Sequence, residues 1–107
     1  MNFDCLDASY QLITDLVTPI EKLSKRNPKL HMQLTTAGTS VALNVSEGRG
    51  RAGKDRRYHW RIASGSAQEV VAILEVSERL GYFGADDTVA ARHTLTRLQQ
   101  MLWRMTH

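Results

Sequence analysis

One cysteine, Cys5, and two prolines, Pro19 and Pro28, are all that 107 residues supply of either type. A lone thiol closes no internal disulfide, which suits a reducing compartment and leaves stability to packing. Its neighbours Leu6 and Ala8 mark Cys5 as a small packing residue rather than a reactive thiol. No stretch approaches the roughly 18 apolar residues that mark a bilayer-spanning helix. The opening MNFDCLDASY carries acids where a secretion signal carries Lys or Arg, so a cytoplasmic location and no membrane partner are expected. Strand-like alternation is missing throughout, which argues against β classes. Four histidines, His31, His59, His93 and His107, lack ligand spacing, and no Glu is followed three residues later by His. That excludes the Glu-x-x-His repeats of di-iron bundles, and no metal or cofactor is expected. No Ser, His and Asp fall into a triad by spacing, so no catalytic residue is assigned.

What is present is positive charge in one place. Residues 49–61 hold Arg49, Arg51, Lys54, Arg56, Arg57 and Arg61 against Asp55 alone, a local balance of +5. The remainder of the chain is −2, so the net +3 comes entirely from this segment. Concentrated charge attracts a polyanion, where an even spread would only aid solubility.

Four segments have helical spacing. The first runs from Asp4, as N-cap, to Arg26, with an apolar stripe of Leu6, Tyr10, Ile13, Val17 and Ile20. Pro19 predicts a bend or break at 15–18, because an interior proline removes a backbone donor and clashes with the preceding turn. The second spans 29–49 with Leu30, Leu34, Ala37, Val41 and Val45 inward. The third runs from Asp55, as N-cap, to Leu80, with Ala63, Ala67, Val70, Ile73, Leu74 and Leu80 inward and Gly81 as its stop. The fourth follows an acidic turn at Asp86 and Asp87 and buries Ala91, Leu95, Leu98, Leu102 and Met105. Short connections between long amphipathic helices predict an all-α fold, an antiparallel up-down-up-down four-helix bundle forming one domain over residues 1–107.

Gly48 to Lys54 reads G-x-x-x-x-G-K, but Asp55 stands where a phosphate-binding loop needs Ser or Thr, and a helix precedes it instead of a strand. A nucleotide loop is rejected. The arginines instead suit phosphate oxygens of a nucleic acid, with Tyr58 and Trp60 as candidate stacking residues on unpaired bases. The bland alternative leaves the arginines solvated and the aromatics packed on the bundle end. Ser40, Asn44 and Glu47 form a polar stripe beside the second helix's apolar one, and Ser66 and Glu69 match it on the third. Polar groups so near a core need partners, so a structural polar network is preferred to acid–base catalysis.

The runs SVALNVSEGRGR and YHWRIASGSAQEVVAILEVSERLGYF resemble the family of small helical proteins found in intervening sequences of bacterial 23S rRNA genes. Ser40, Asn44, Glu47, Gly48, Tyr58, Trp60, Ala63, Gly65, Ser66, Glu69, Leu80, Gly81 and Tyr82 carry the resemblance, best over residues 30–83. Ala42 stands where the family has proline, and Pro19 is an addition in the first helix. The resemblance implies a four-helix bundle, a homopentameric ring, and kinship with accessory proteins of diversity-generating retroelements, which bind a reverse transcriptase. It implies no enzyme activity. The expectation is a non-enzymatic oligomeric scaffold binding RNA or DNA electrostatically through the basic segment. Its rival is an adapter docking an acidic protein partner without nucleic acid.

Overall fold

The computed structural model describes residues 3–107. They form five α-helices and a short 3₁₀ turn, with no strand: α1 (Phe3–Asp15), α2 (Val17–Arg26), α3 (Pro28–Arg49), α4 (Gly53–Arg79), the turn Ala85–Asp87 and α5 (Val89–Thr106). The chain is all-α, as its periodicity predicts.

The first segment is two helices rather than one. Pro19 cannot donate to the carbonyl four residues back, and the break falls at Leu16, inside the predicted stretch. Pro19 then sits in the first turn of α2, where a missing N–H costs nothing. The buried face differs from the predicted stripe. Tyr10 and Val17 are exposed, whereas Cys5, Ala8, Leu12, Leu16, Pro19 and Leu23 join Leu6 inside. Two apolar stripes of similar period overlap here, and the one holding three leucines is buried. Asp4, expected as an N-cap, lies within α1. Burial pushes the Cys5 thiol up to about 11, so it is protonated near neutrality, in keeping with its packing role.

Asn27 caps α3 by accepting the Leu30 N–H at 3.0 Å, and Pro28 takes the first helical position. With alanine at position 42, α3 runs unbroken. Gly38 lets α1 approach closely, since a Cβ there would lie 2.9 Å from Leu16 Cδ1. Helix α4 begins at Gly53, two residues before the expected Asp55 cap, and no side chain caps it. Its 27 residues span about 40 Å at 1.5 Å per residue, close to the 42 Å long axis of the molecule. It ends in a Schellman motif: Tyr82 N–H donates to the Ser77 carbonyl and Gly81 N–H to Glu78, with Gly81 at φ +79°. Leu80 therefore lies past the helix and is exposed, against its predicted inward place.

Helix α1 packs on α3 and α5, α3 on α4, and α4 on α5, while α2 packs on α3. The enclosed core contains Leu12, Leu34, Val41, Val70, Leu74, Leu95, Leu98 and Leu102. Ser40 meets Ser66, Val45 meets Trp60 and Gly48 meets Arg56, so numbering rises along α3 as it falls along α4. These two helices run in opposite directions.

Candidate nucleic-acid interface

Gly50–Ala52 joins α3 to α4, and Gly53 enters α4 at φ +60°, in the left-handed region that favours glycine. This tight connection brings both charged helix ends together and divides the six predicted cations into two groups.

One group is turned to the protein itself. Arg51 donates to Glu47 at 2.7 Å and to Asp55 at 2.8 Å, four residues away on either side. The hydrogen bonds with Glu47 and then Asp55 raise its guanidinium above its already high ordinary value. Arg56 donates through Nε to the Gly48 carbonyl at 3.1 Å and through a terminal nitrogen to the Arg49 carbonyl at 3.4 Å. It thereby satisfies the last carbonyls of α3, where the helix dipole favours a cation, and lies over the Trp60 ring, 5.4 Å from its centroid. Arg49, half-buried in the last turn of α3, also makes a contact within the protein.

The other group faces out. Lys54, Arg57 and Arg61 are exposed, and among the described residues they make no hydrogen bond or ion pair. Steps of three and four residues put them on one side of α4. Tyr58 lies in the same stripe, 61% exposed, with the His59 ring edge-on to it at 5.4 Å between ring centroids. Trp60 does not share that position. It is 8% exposed and donates Nε1–H to the Val45 carbonyl at 3.2 Å. A Cβ on Gly48 would lie 2.5 Å from that nitrogen, so glycine makes room for the indole. Trp60 is a core residue, which leaves Tyr58 as the exposed one of the two candidate aromatics.

The polar stripe likewise divides. Ser40 and Ser66 hydroxyls meet at 2.7 Å, Asn44 donates to the Ser40 hydroxyl at 3.2 Å, and its carbonyl oxygen lies 3.1 Å from His59 Nδ1. His59 is the network member that helix spacing alone misses. It becomes visible only once Ser40 is set opposite Ser66, which carries Asn44 toward the earlier turns of α4. Glu47 belongs to the Arg51 pair instead, and Glu69 is exposed without a hydrogen bond or ion pair among the described residues.

Two surface depressions contain no residue of the basic segment. One, about 300 Å³, is lined by Asp4, Asp7, Ala8, Gln11 and Arg97, and the other, about 400 Å³, by Gln100, Trp103 and Arg104. Trp103 is exposed and stacks on His107 at 4.6 Å, a feature without a sequence signal. Among the described residues no group of three or more His, Cys, Asp or Glu side chains could hold a metal ion, and no helix is long and apolar enough to cross a membrane.

The fold and the junction together define a small all-helical protein whose signature polar residues and basic connection lie on the α3–α4 pair. Residues 1–104 match the 23S rRNA-intervening sequence protein family, and the chain belongs to it. A crystal structure of a protein of unknown function from the S23 ribosomal protein family of Bacteroides thetaiotaomicron is similar in fold, with a TM-score of 0.84 at 21% identity over 95% of this chain and 97% of that one. No curated protein is significantly similar to this chain.

Proposed function

We propose that the protein is a non-enzymatic oligomeric scaffold that binds RNA or DNA electrostatically through the outward stripe at the start of α4. The observation that carries this reading is that Lys54, Arg57 and Arg61 share one exposed face with no acid to neutralise them within the described chain. Arg51 and Arg56, engaged inside the junction, hold the stripe in place rather than meet the ligand. The helices would complete an antiparallel up-down-up-down four-helix bundle, with the broken α1–α2 as its first member. Support comes from the succession Asp15–Thr94, Lys22–Asp87 and Arg26–Tyr82, in which the two chain directions oppose each other.

Self-association is supported by an uncharged surface. No charged residue occurs from Met32 to Ser46, and Met32 and Leu43 on that stretch are exposed, Leu43 at 67%. The homopentameric ring implied by family resemblance would repeat the basic stripe once per subunit, so weak phosphate contacts would add. The rival reading is an adapter whose basic face docks an acidic protein surface without nucleic acid, and the unpaired Lys54, Arg57 and Arg61 would serve it equally.

Fluorescence anisotropy of a labelled mixed-sequence RNA and a matching DNA at several salt concentrations tests the scaffold. Binding should weaken steeply with salt and vanish in Lys54→Gln/Arg57→Gln/Arg61→Gln with its mass by light scattering unchanged. No binding by the folded wild type at low salt overturns the nucleic-acid role and leaves the adapter.

A further inference from the structure

We infer that the α4 stripe takes an unpaired nucleic-acid strand rather than a duplex, with Tyr58 as the platform for one base and Lys54, Arg57 and Arg61 holding the phosphates around it. The inference rests on the nucleic-acid reading above and names its substrate class.

Three observations lead to it. Tyr58 stands between the cations in sequence and on the same side of the helix, exposed, with the His59 ring edge-on to it. An aromatic face at the centre of a basic stripe is of little use against a duplex, whose bases offer only their edges in the grooves. An unpaired base has a free π-face, and stacking on an aromatic side chain tolerates any sequence. The stripe is also short. Lys54 to Arg61 covers about 10 Å along the helix axis, and two turns further on the unpaired, exposed Glu69 presents a carboxylate. A duplex laid along α4 would bring phosphates of one strand or the other to that carboxylate. A single strand can cross at the basic end and leave it aside. Finally, the platform is fixed: α4 is continuous through this region, and its start is tied down by the Arg51 and Arg56 contacts. A tyrosine on a rigid helix requires the base to come to it, which only an unstacked nucleotide can do.

Strand chemistry common to RNA and DNA makes these contacts, and the experiment separates the two. Anisotropy is measured for a labelled 12-nucleotide RNA strand, the DNA strand of the same sequence, and the duplex of each, at fixed salt and across a salt series. The proteins are wild type, Tyr58→Ala, Tyr58→Phe and Arg57→Gln, each checked for helicity by circular dichroism. Expected are tighter binding of the strands than of the duplexes and a loss of about 5- to 150-fold for Tyr58→Ala on the strands. Tyr58→Phe should retain binding. The salt slope should be unchanged in Tyr58→Ala and reduced by about 0.7 in Arg57→Gln, as for one lost phosphate contact on a single strand. A 2′-hydroxyl contribution would show as tighter RNA than DNA, and equal affinities would assign the contacts to features both strands share; either result leaves the stacked strand standing. Duplexes bound as tightly as strands, or a Tyr58→Ala protein that binds strands like the wild type, would overturn the inference. If Arg57→Gln still weakens binding in that case, the electrostatic reading survives and only the single-strand assignment falls. If neither strand nor duplex binds the wild type at low salt, both fall together.

Discussion

The two ends of α4 hold similar densities of charge and treat them differently. At the C-terminal end, Glu75 pairs with Arg79 and Arg92, Glu78 with Arg92 and the Thr88 hydroxyl, and nearby Asp87 with Lys22 of α2. Arg26 donates to the carbonyls of Gly81 and Tyr82 and covers the Tyr82 ring, while Asn27 donates to its hydroxyl. These charges join α2, α4 and α5 into one corner. At the N-terminal end, Arg51 and Arg56 perform the same kind of structural work, but among the described residues Lys54, Arg57 and Arg61 have no acidic counterpart. The total charge of a segment therefore says little about what it offers a ligand. What remains after internal pairing is the usable part, and by that measure, among the described residues, the start of α4 has a surplus that its C-terminal end lacks.

The sharpest way to break the comparison is to test whether Trp60 belongs to the structural or the outward half of the junction. Trp60→Ala should destabilise the fold by about 3–5 kcal/mol, as for a buried aromatic truncated to alanine, in denaturant unfolding. Gly48→Ala attacks the same contact from the other side, forcing a methyl against the indole, and should cost about 1–3 kcal/mol. A Trp60→Ala protein of wild-type stability that fails only in binding would move this residue to the outward half.

The glycines that turn the chain at the two ends allow a finer test. Gly53 and Gly81 both have positive φ, and a Cβ on either would meet no atom within 4 Å. Alanine at each should therefore cost only backbone strain, about 1–2 kcal/mol, and by similar amounts. A much larger loss at Gly53 would mean that the junction needs more from its turn than the corner does.

How much of this was legible depends on where the deciding information lies. The stripes of α3 and α5 follow an unbroken period, and nearly all their predicted inward residues are buried. In α1, two stripes of like period compete, and only the neighbours α3 and α5 select Leu12 and Leu16 over Tyr10 and Val17. The charge concentration was plain, and so in principle was the bracketing of Arg51 by carboxylates four residues to each side. The inward turn of Arg56 and Trp60 was not, because it depends on how α4 folds back on Gly48. The same antiparallel register hides His59 from any single-helix reading and leaves Glu69 outside the polar group it was expected to join.

Within the corner, one group is not satisfied. The Ser77 hydroxyl is buried without a hydrogen-bond partner among the described residues, although its backbone carbonyl accepts from Tyr82. An unpaired buried hydroxyl is costly, and alanine is the better helix former. Ser77→Ala should raise stability by about 0.5–1 kcal/mol, read as a higher denaturant midpoint with an unchanged slope. A loss of stability instead would show that the hydroxyl is satisfied in solution.

The smallest effect separates the ends by pH. The hydrogen bond from Lys22, and after it that from the Gly84 N–H, holds the Asp87 carboxyl below its ordinary value. A folded-state value lower than the unfolded one gives stability that is present above the unfolded value and lost as pH falls through the folded one. The corner should therefore loosen only below about pH 4, and since Asp87 and Lys22 are on the surface, the change should be slight and screened by salt. Asp87→Asn should lower the melting temperature slightly at pH 7 and flatten its decline in acid, and it should leave the far end of α4 unaltered. An acid transition of undiminished steepness in Asp87→Asn would assign the pH sensitivity to other carboxylates, with Glu75, held low first by its hydrogen bond from Arg79, the next to replace.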